Sequence, residues 1–325
     1  MAGPVRLGAF ALLTLSILAG ASLSYAQVYP SRPIRAIVPF AAGSATDQIA
    51  RSFSARMTES LGQPIVVENR PGANGMIGAD AVAKALPDGY TILFGTNSTN
   101  AALKSLMKKL PYDQDTAFTP IGYMGSVPLI VAVNNDFPAK TLAELIALAK
   151  AKPGEVTFAT ASTSQRISSE MLAGMAGIRM THVPYKSSPN AITDLIGGQV
   201  NMFTADFAVM LPQVKAGKVR ALAVTSTKRA AVAPELPTVN EAAGLKDYEL
   251  IAFFGTYGPA GMPRDIVQKL NDAINAAARS KEVLDRFSAL GMETAPGTPE
   301  AFAHRTAMEA VKWAKAIRDS GIEPE

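Results

Sequence analysis

Two segments of this chain place small and polar residues where an apolar run ends and a helical pattern begins. The first, residues 40–47, follows the apolar run Ile34–Val38, and the second, residues 161–166, follows residues 156–159. The first N–H groups of an α-helix have no partner inside the helix and carry the positive end of its dipole, so they can bind an anion. Two such helix starts that face each other would bind the two ends of a dicarboxylate.

The first segment predicts a ligand-binding helix start. Its candidate ligand residues are Phe40, Ala41, Ala42, Gly43, Ser44, Thr46 and Asp47. Ser44 and Asp47 have the spacing of a capping box, with an aspartate in place of the usual glutamate, so the alternative is a helix start that satisfies itself. Both interpretations can hold, because a cap satisfies only some of the free amides and the small residues leave the backbone open.

The second segment adds a positive charge to the same pattern. Its candidate ligand residues are Ala161, Ser162, Thr163, Ser164, Gln165 and Arg166. A cation in the first helical turn opposes the helix dipole by about a few tenths of a kcal/mol. A ligand carboxylate held by the Arg166 guanidinium would offset that cost, and an arginine that reaches into solvent is the alternative.

Little else in the chain could carry out covalent chemistry. The chain has no cysteine and two histidines, His182 and His304, so most nucleophile–base pairs and histidine metal sites cannot be assembled. There is no Gly-x-Ser-x-Gly motif, and the glycines of residues 72–78 lack the spacing of a dinucleotide-binding turn. We expect no enzymatic activity, no cofactor and no metal. A periplasmic hydrolase that uses serine and water is the alternative from the enzyme class.

The elements that must position these segments alternate between strands and helices. Strands are expected at 34–38, 65–68, 90–95, 129–133, 156–159, 179–183, 202–204 and 220–225. Helices are expected at 47–61, 76–86, 141–151, 165–176, 191–197, 264–279 and 299–320. This alternation is typical of an α/β fold with a largely parallel sheet, in which ligands bind at the carboxyl ends of the strands.

The length of the chain favours two domains. We expect lobe 1 to comprise residues 27–124 and 255–325, and lobe 2 to comprise residues 125–254. No low-complexity linker separates them, so the chain is expected to pass between the lobes along extended strands at residues 121–133 and 249–257.

The N-terminal residues 1–26 have the features of a cleavable secretory signal peptide. Arg6 precedes an apolar run at residues 7–19, and Ser24-Tyr25-Ala26 fits a cleavage site. The run is shorter than the roughly 20 residues of a spanning helix, and an uncleaved N-terminal anchor is the alternative. The protein is therefore expected to be periplasmic, and without cysteine it has neither a lipid anchor nor disulfides.

The charge of the chain argues against a nucleic-acid partner. The formal net charge is +4, and the basic residues are scattered rather than gathered on one stretch with aromatic residues. A mild positive balance of this kind is compatible with an anionic ligand.

Seven motifs give the chain a resemblance to a known family. They are YPSRPI at 29–34, VPFAAG at 38–43, VVENRPGA at 66–73, PDGYTIL at 87–93, HVPYK at 182–186, GGQV at 197–200 and KAGKVRALAVTS at 215–226. With these motifs, the chain resembles the substrate-binding proteins of the tripartite tricarboxylate transporters, also called Bug receptors. The resemblance covers essentially the whole chain after residue 26.

The resemblance implies a fold, a function and further site residues. The implied fold is the two-lobed α/β periplasmic binding protein of type II, or Venus flytrap, with a mostly parallel sheet in each lobe and hinge closure. Loops after one strand of each lobe would hold a carboxylate through backbone amides and ordered water. Asn97 and Ser98 match a third contact region of the family, and Asp206 falls where its members line the cleft.

The implied function is that of an extracytoplasmic receptor, expected to act as a monomer, that delivers a small carboxylate to membrane permease subunits. A sensory binding protein that docks on a receptor kinase is the alternative.

Two departures from the family pattern bear on the ligand. Gly43-Ser44 stands where the family usually has two glycines, and the second loop has no glycine and carries Arg166 at the position of a histidine. The added hydroxyls and guanidinium favour a ligand with a second polar end. We expect a dicarboxylate, either aliphatic or aromatic such as terephthalate.

Overall fold

The computed structural model describes residues 29–324. The predicted signal peptide at residues 1–26 lies outside this range. The strands are β1 (Ile34–Val38), β2 (Ile65–Asn69), β3 (Thr91–Thr96), β4 (Phe118–Asn134), β5 (Thr157–Thr160), β6 (Thr181–Pro184), β7 (Met202–Asp206), β8 (Val219–Val224) and β9 (Ile251–Pro259). The α-helices are α1 (Ala45–Leu61), α2 (Met76–Ala83), α3 (Leu103–Leu106), α4 (Leu142–Ala151), α5 (Thr163–Ala176), α6 (Ser188–Ile196), α7 (Phe207–Lys215), α8 (Val239–Ala243), α9 (Arg264–Arg279), α10 (Lys281–Ala289) and α11 (Pro299–Asp319).

The strands form a mixed sheet in the order β2-β1-β3-β9-β4-β7-β5-β6, with β8 also paired to β4. Strands β1, β2 and β3 are parallel to one another in their pairings, and so are β5, β6 and β7. Strand β9 is antiparallel to β3 and β4, and β4 is antiparallel to β7 and β8. The predicted parallel strands therefore flank a centre of antiparallel strands.

Strand β4 connects the two halves of the molecule. It pairs with β9 over residues 118–128 and with β7 and β8 over residues 129–134. The long strands β4 and β9 coincide with the two crossings expected from the sequence. The α/β binding-protein fold is thus confirmed, and the lobe boundaries at residues 124/125 and 254/255 stay a prediction.

Helices cover the sheet and complete the core. Helices α1 and α2 pack against the β1–β3 side, and α9 packs against α1 and β4, whereas α5, α6 and α7 pack against the β5–β7 side. Helix α11 contacts β4 and α9, and it also reaches α5. Within residues 29–324, none of the helices is both long and apolar enough to cross a membrane.

Helix α7 is absent from the elements expected from the sequence. It begins directly after β7 and contains Pro212, a residue that normally breaks a helix interior. The helix nevertheless buries Phe207, Met210 and Leu211. Tertiary burial of these side chains outweighs the unfavourable local propensity.

Candidate functional site

A polar cavity lies where β1, β3, β5 and β7 end, between the two predicted lobes. We call it the inner chamber; its volume is about 20 Å³, and it is lined by Phe40, Ser44, Ala45, Thr46, Thr96, Asn97, Ser98, Ser162, Ser164, Gln165, Ser188, Asp206, Ala252 and Phe254. Nine of these fourteen residues carry a hydroxyl or a side-chain amide, and no lysine or arginine of residues 29–324 belongs to the lining. The inner chamber therefore offers neutral donors rather than a formal positive charge.

The first helix start is fixed by its own side chains. Ser44 is the N-cap of α1, and its Oγ accepts a hydrogen bond from the Asp47 amide at 3.3 Å. The Asp47 carboxylate accepts from the Gly43 amide at 3.0 Å. The amides of Ala45 and Thr46 come first in the helix and have no intrahelical partner, and both residues line the inner chamber. These two amides can donate to a ligand.

Asp47 has a structural role in this loop and does not line the inner chamber. Its carboxylate forms an ion pair with Arg51 at 3.0 Å and accepts from Asn69 Nδ2 at 2.9 Å. Burial alone would raise the pKa of Asp47, but the hydrogen bonds from Arg51, Gly43 and Asn69 hold it below its ordinary value. Asp47 is thus an ionised anchor that holds the loop against β2.

The second helix start, that of α5, has no side-chain cap. Ser162 is the N-cap of α5, but its side chain makes no capping bond, and its Oγ lies 3.1 Å from Ser164 Oγ. The Gln165 side chain is fixed instead, because its Oε1 accepts from the Ala161 amide at 2.6 Å and its Nε2 donates to Ser188 Oγ at 3.0 Å. The first amides of α5 are therefore available to an anion.

Asn97 presents a fixed donor to the inner chamber. The residue is 1% exposed, and its Oδ1 accepts from the Phe253 amide at 3.2 Å, which sets the orientation of the side-chain amide. Its Nδ2 is buried and has no hydrogen-bond partner within residues 29–324. A buried donor without a partner costs about 1–3 kcal/mol, so a ligand acceptor at this point would be stabilising.

Asp206 brings a carboxyl group into the same lining. It occupies the N-cap position of α7, yet its side chain makes no capping hydrogen bond. Burial raises the pKa of Asp206 to about 6, and hydrogen bonds from its own amide and from the Gln165 side chain oppose that rise. No other Asp, Glu, His, Lys, Arg or Tyr lines the inner chamber in the described part of the chain.

An outer chamber adjoins the inner one. Its volume is about 400 Å³, and it is lined by Phe40, Pro71, Gly72, Ala73, Asn74, Gly75, Ala161, Pro184, Tyr185 and Lys186. Phe40 lines both chambers and so lies at their junction. Ala73 and Asn74 have positive φ angles of 47° and 53°, so the turn at this wall holds a strained conformation.

Lys186 is the cationic residue of the outer chamber. Its side chain is exposed, and no carboxylate among residues 29–324 forms an ion pair with it. The nearby Tyr185 hydroxyl is engaged, since it donates to the Asp194 carboxylate at 2.8 Å. The outer chamber thus offers an accessible ammonium group for a second anionic group.

The predicted site residues fall into two groups. The structure brings Phe40, Ser44, Thr46, Asn97, Ser98, Ser162, Ser164, Gln165 and Asp206 together at the inner chamber, and Ala161 at the outer chamber. Neither lining includes Ala41, Ala42, Gly43, Asp47, Thr163 or Arg166. Gly43 lies on the other side of the loop, where a side-chain carbon added to it would sit 3.4 Å from Pro189.

Arg166 lies outside the lining of both chambers, and its role as a ligand residue stays a prediction. It is half-buried on α5. Burial raises the pKa of Glu170, one turn further along the same helix, and the positive charge of Arg166 partly opposes that rise. An opposite charge four residues away on a helix is close enough to attract the guanidinium.

Several lining residues were not predicted from the sequence. Ser188 belongs to a polar helix start after β6, so the signal that identified residues 40–47 could have found it. Ala252 and Phe254 come from the apolar strand β9 and gave no such signal. His182, by contrast, is held in the structure, because its ring stacks on Phe158 and its Nε2 lies 2.6 Å from Thr160 Oγ1.

The described residues offer no grouped metal ligands. Within residues 29–324, no three histidine, aspartate or glutamate side chains are gathered in a way that could hold a metal ion.

Comparison with known proteins agrees with this geometry. Residues 49–322 match the model of the tripartite tricarboxylate transporter family receptor. BugT of Bordetella pertussis is 37% identical over 301 residues, which cover 92% of each chain. The R. palustris protein Rpa4515, solved with adipate, has a TM-score of 0.88 and 33% identity, over 91% of this chain and 100% of its own.

A second solved structure gives the same result. MatC from Rhodopseudomonas palustris, with bound malate, has a TM-score of 0.85 and 32% identity, over 89% of this chain and 100% of its own. The family and its structural neighbours are solute-binding receptors and not enzymes, so the hydrolase alternative is excluded. The chain belongs to the tripartite tricarboxylate transporter receptor family, the Bug receptors.

Proposed function

We propose that this protein binds a small dicarboxylate between its two lobes and delivers it to the membrane subunits of a tripartite tricarboxylate-type transporter. The observation that carries the proposal is the convergence of neutral donors on the inner chamber. Asn97 Nδ2 is buried without a partner among residues 29–324, and the open starts of α1 and α5 supply further amides. Donors of this kind stabilise a carboxylate in a site that excludes water.

The neighbouring structures support an organic acid as the ligand. Rpa4515 was solved with adipate and MatC with malate, and both ligands are dicarboxylic acids. Each of these proteins covers about nine-tenths of this chain at more than 30% identity. The shared fold therefore favours a ligand of this class here.

The outer chamber supports a second anionic end. A ligand whose first carboxylate occupies the inner chamber would extend past Phe40 toward Lys186. The ammonium group of Lys186 would then attract the distal carboxylate. The outer volume of about 400 Å³ leaves room for either an aliphatic chain or an aromatic ring such as that of terephthalate.

The remaining parts of the proposal concern location and partners. The signal-peptide features of residues 1–26 support export to the periplasm and cleavage there. Family membership supports membrane permease subunits as the partners. We propose that the receptor acts as a monomer and that ligand contacts with both lobes favour the closed state.

A thermal-shift screen tests the proposed function. The mature protein, freed of ligand by unfolding and refolding, is heated with mono-, di- and tricarboxylates, amino acids, aromatic acids and neutral sugars. A ligand that binds only the folded state raises the melting temperature. We expect dicarboxylates to give the largest shifts. A folded, ligand-free protein that responds to none of the acids would overturn the proposal.

A further inference from the structure

The inner chamber contains one group that conflicts with an anion site. Asp206 lines it and is 7% exposed, whereas the other polar groups of the lining are hydroxyls and amides. A ligand carboxylate placed beside an ionised aspartate would be repelled, and the buried position strengthens that repulsion because little solvent screens it. Asp206 therefore either weakens the binding of an anion or accepts a hydrogen bond from a donor on the ligand.

The fold itself makes little use of the Asp206 carboxylate. An aspartate at an N-cap normally accepts from the second or third amide of its helix, and Asp206 does not. Its hydrogen bonds come from its own amide and from the Gln165 side chain. A carboxylate can accept about four hydrogen bonds, so acceptor capacity remains on the side that lines the inner chamber.

Gln165 holds this carboxylate in place. Its Oε1 is occupied by the Ala161 amide and its Nε2 by Ser188 Oγ, so the side chain cannot turn to offer its oxygen to Asp206. The Gln165 amide group thus supports Asp206 as an acceptor. Within residues 29–324, no lysine, arginine or histidine of the lining neutralises the aspartate.

We propose that Asp206 selects ligands that carry a hydrogen-bond donor, a hydroxyl or an ammonium group, next to one of their carboxylates. The inference rests on the carboxylate-receptor function proposed above and narrows its ligand class to hydroxy- and amino-substituted diacids. A carboxylate that accepts from such a donor forms a charge-assisted hydrogen bond. When an unsubstituted diacid binds, the buried Asp206 carboxylate has no donor to pair with and faces the negative charge of the ligand carboxylate. The site is therefore expected to bind unsubstituted diacids more weakly than substituted ones.

Ligands matched in chain length test this selection. Succinate, malate and aspartate form one series, and glutarate, 2-hydroxyglutarate and glutamate form a longer one. Binding is measured by titration calorimetry at pH 8, where the ionised form of Asp206 predominates because its pKa is about 6. The proteins are the wild type, Asp206→Asn and the control Asp136→Asn, which changes an exposed aspartate outside both chambers.

The wild type and the control are expected to bind a substituted diacid roughly tenfold or more tightly than the unsubstituted diacid of the same length. Asp206→Asn is expected to reduce that ratio to near one, chiefly by tighter binding of the unsubstituted acid. Melting curves confirm that the variant is folded. Binding of diacids without any preference in the wild type, or a preference that survives in Asp206→Asn, would overturn this inference alone. Failure of every acid to bind the folded wild type would overturn the proposed function with it.

Discussion

Asn97 shows how one side chain can define the polarity of a site. The Phe253 amide occupies its Oδ1, so its Nδ2 is left as a donor toward the inner chamber. Asp206, in contrast, supplies a buried acceptor, and its side chain caps no helix. The two residues give the inner chamber a direction along which a ligand with an acceptor and a donor would be oriented.

Exchange of the Asn97 amide for a carboxylate is expected to abolish most binding. Asn97→Asp keeps an oxygen for the Phe253 amide, but it removes the donor and adds a negative charge. Affinity for any carboxylate should fall by roughly tenfold or more, which corresponds to the worth of a buried donor. Calorimetric titration at pH 8 measures the change. Asn135→Asp, at an exposed position, is the control, and equal affinities in the two variants would refute the role of Asn97.

Neutralisation of Asp206 is expected to stabilise the ligand-free protein. The pKa of Asp206 is about 6 in the folded state, against an ordinary value of 3.8. The folded state therefore carries a penalty of roughly 3 kcal/mol above pH 6, which is relieved as the pH falls from about 6 to about 4 and is absent below both values.

Melting temperatures of the wild type and Asp206→Asn as a function of pH measure this effect. The variant should melt higher at pH 8, and the difference should shrink toward pH 4. A difference that is constant over this range would show that the carboxyl group does not titrate with a raised pKa.

At the scale of elements, the strand-to-helix junctions were predictable and their detailed contacts were not. Apolar runs followed by small residues identified the starts of α1 and α5, because that pattern depends on local sequence. The partner of Asp47 depends on which side chains lie nearby in the fold, because Asn69 comes from β2, 22 residues away in the sequence. Ala252 and Phe254 reach the inner chamber only because β9 crosses between the lobes.

The crossing strand β4 depends on a glycine where it meets the segment after α10. Gly125 has a φ of +154°, and a side-chain carbon there would lie 2.5 Å from the Glu293 carbonyl oxygen. The neighbouring Ser126 exchanges two backbone hydrogen bonds with Glu293, at 2.9 and 3.0 Å. This contact fixes the strand at the predicted lobe boundary.

Gly125→Ala is therefore expected to destabilise the protein. The added carbon must displace the Glu293 backbone, and we expect a loss of about 1–3 kcal/mol in the free energy of unfolding. Denaturant unfolding measures it. Gly174→Ala is the matched control, because that glycine is inside α5 with nothing within 4 Å of the added carbon, and it should gain about 0.5–1 kcal/mol. A Gly125→Ala protein as stable as the wild type would contradict this account of the crossing.

At the scale of the whole molecule, the two predicted lobes contribute to both chambers. The inner chamber combines residues from both predicted lobes, and the outer chamber places the turn at residues 71–75 opposite residues 184–186. Lys186 belongs to a motif visible in the sequence, but its role emerges only when the lobes are brought together. Gly43 and Pro189 lie close together on the far side of the α1 loop, so the lobes also meet beyond the inner chamber.

Removal of the Lys186 charge is expected to weaken the binding of dicarboxylates but not that of monocarboxylates. Lys186→Met should weaken dicarboxylate binding by roughly threefold to tenfold at low salt, because the exposed cation attracts the distal carboxylate only in part through solvent. Monocarboxylate affinity should not change. Titrations of both ligand classes, with Lys218→Met as an exposed control outside both chambers, measure this difference. An equal loss for both classes would refute a role specific to the distal end.

The most direct test of the central claim is a crystal structure of the mature protein with the dicarboxylate that gives the largest thermal shift. We predict that one carboxylate lies in the inner chamber, with an oxygen about 3 Å from Asn97 Nδ2 and the other oxygen at the first amides of α1 or α5, directly or through one water. The second carboxylate should extend past Phe40 toward Lys186. A ligand bound outside the inner chamber, or one that places no carboxylate there, would contradict the account.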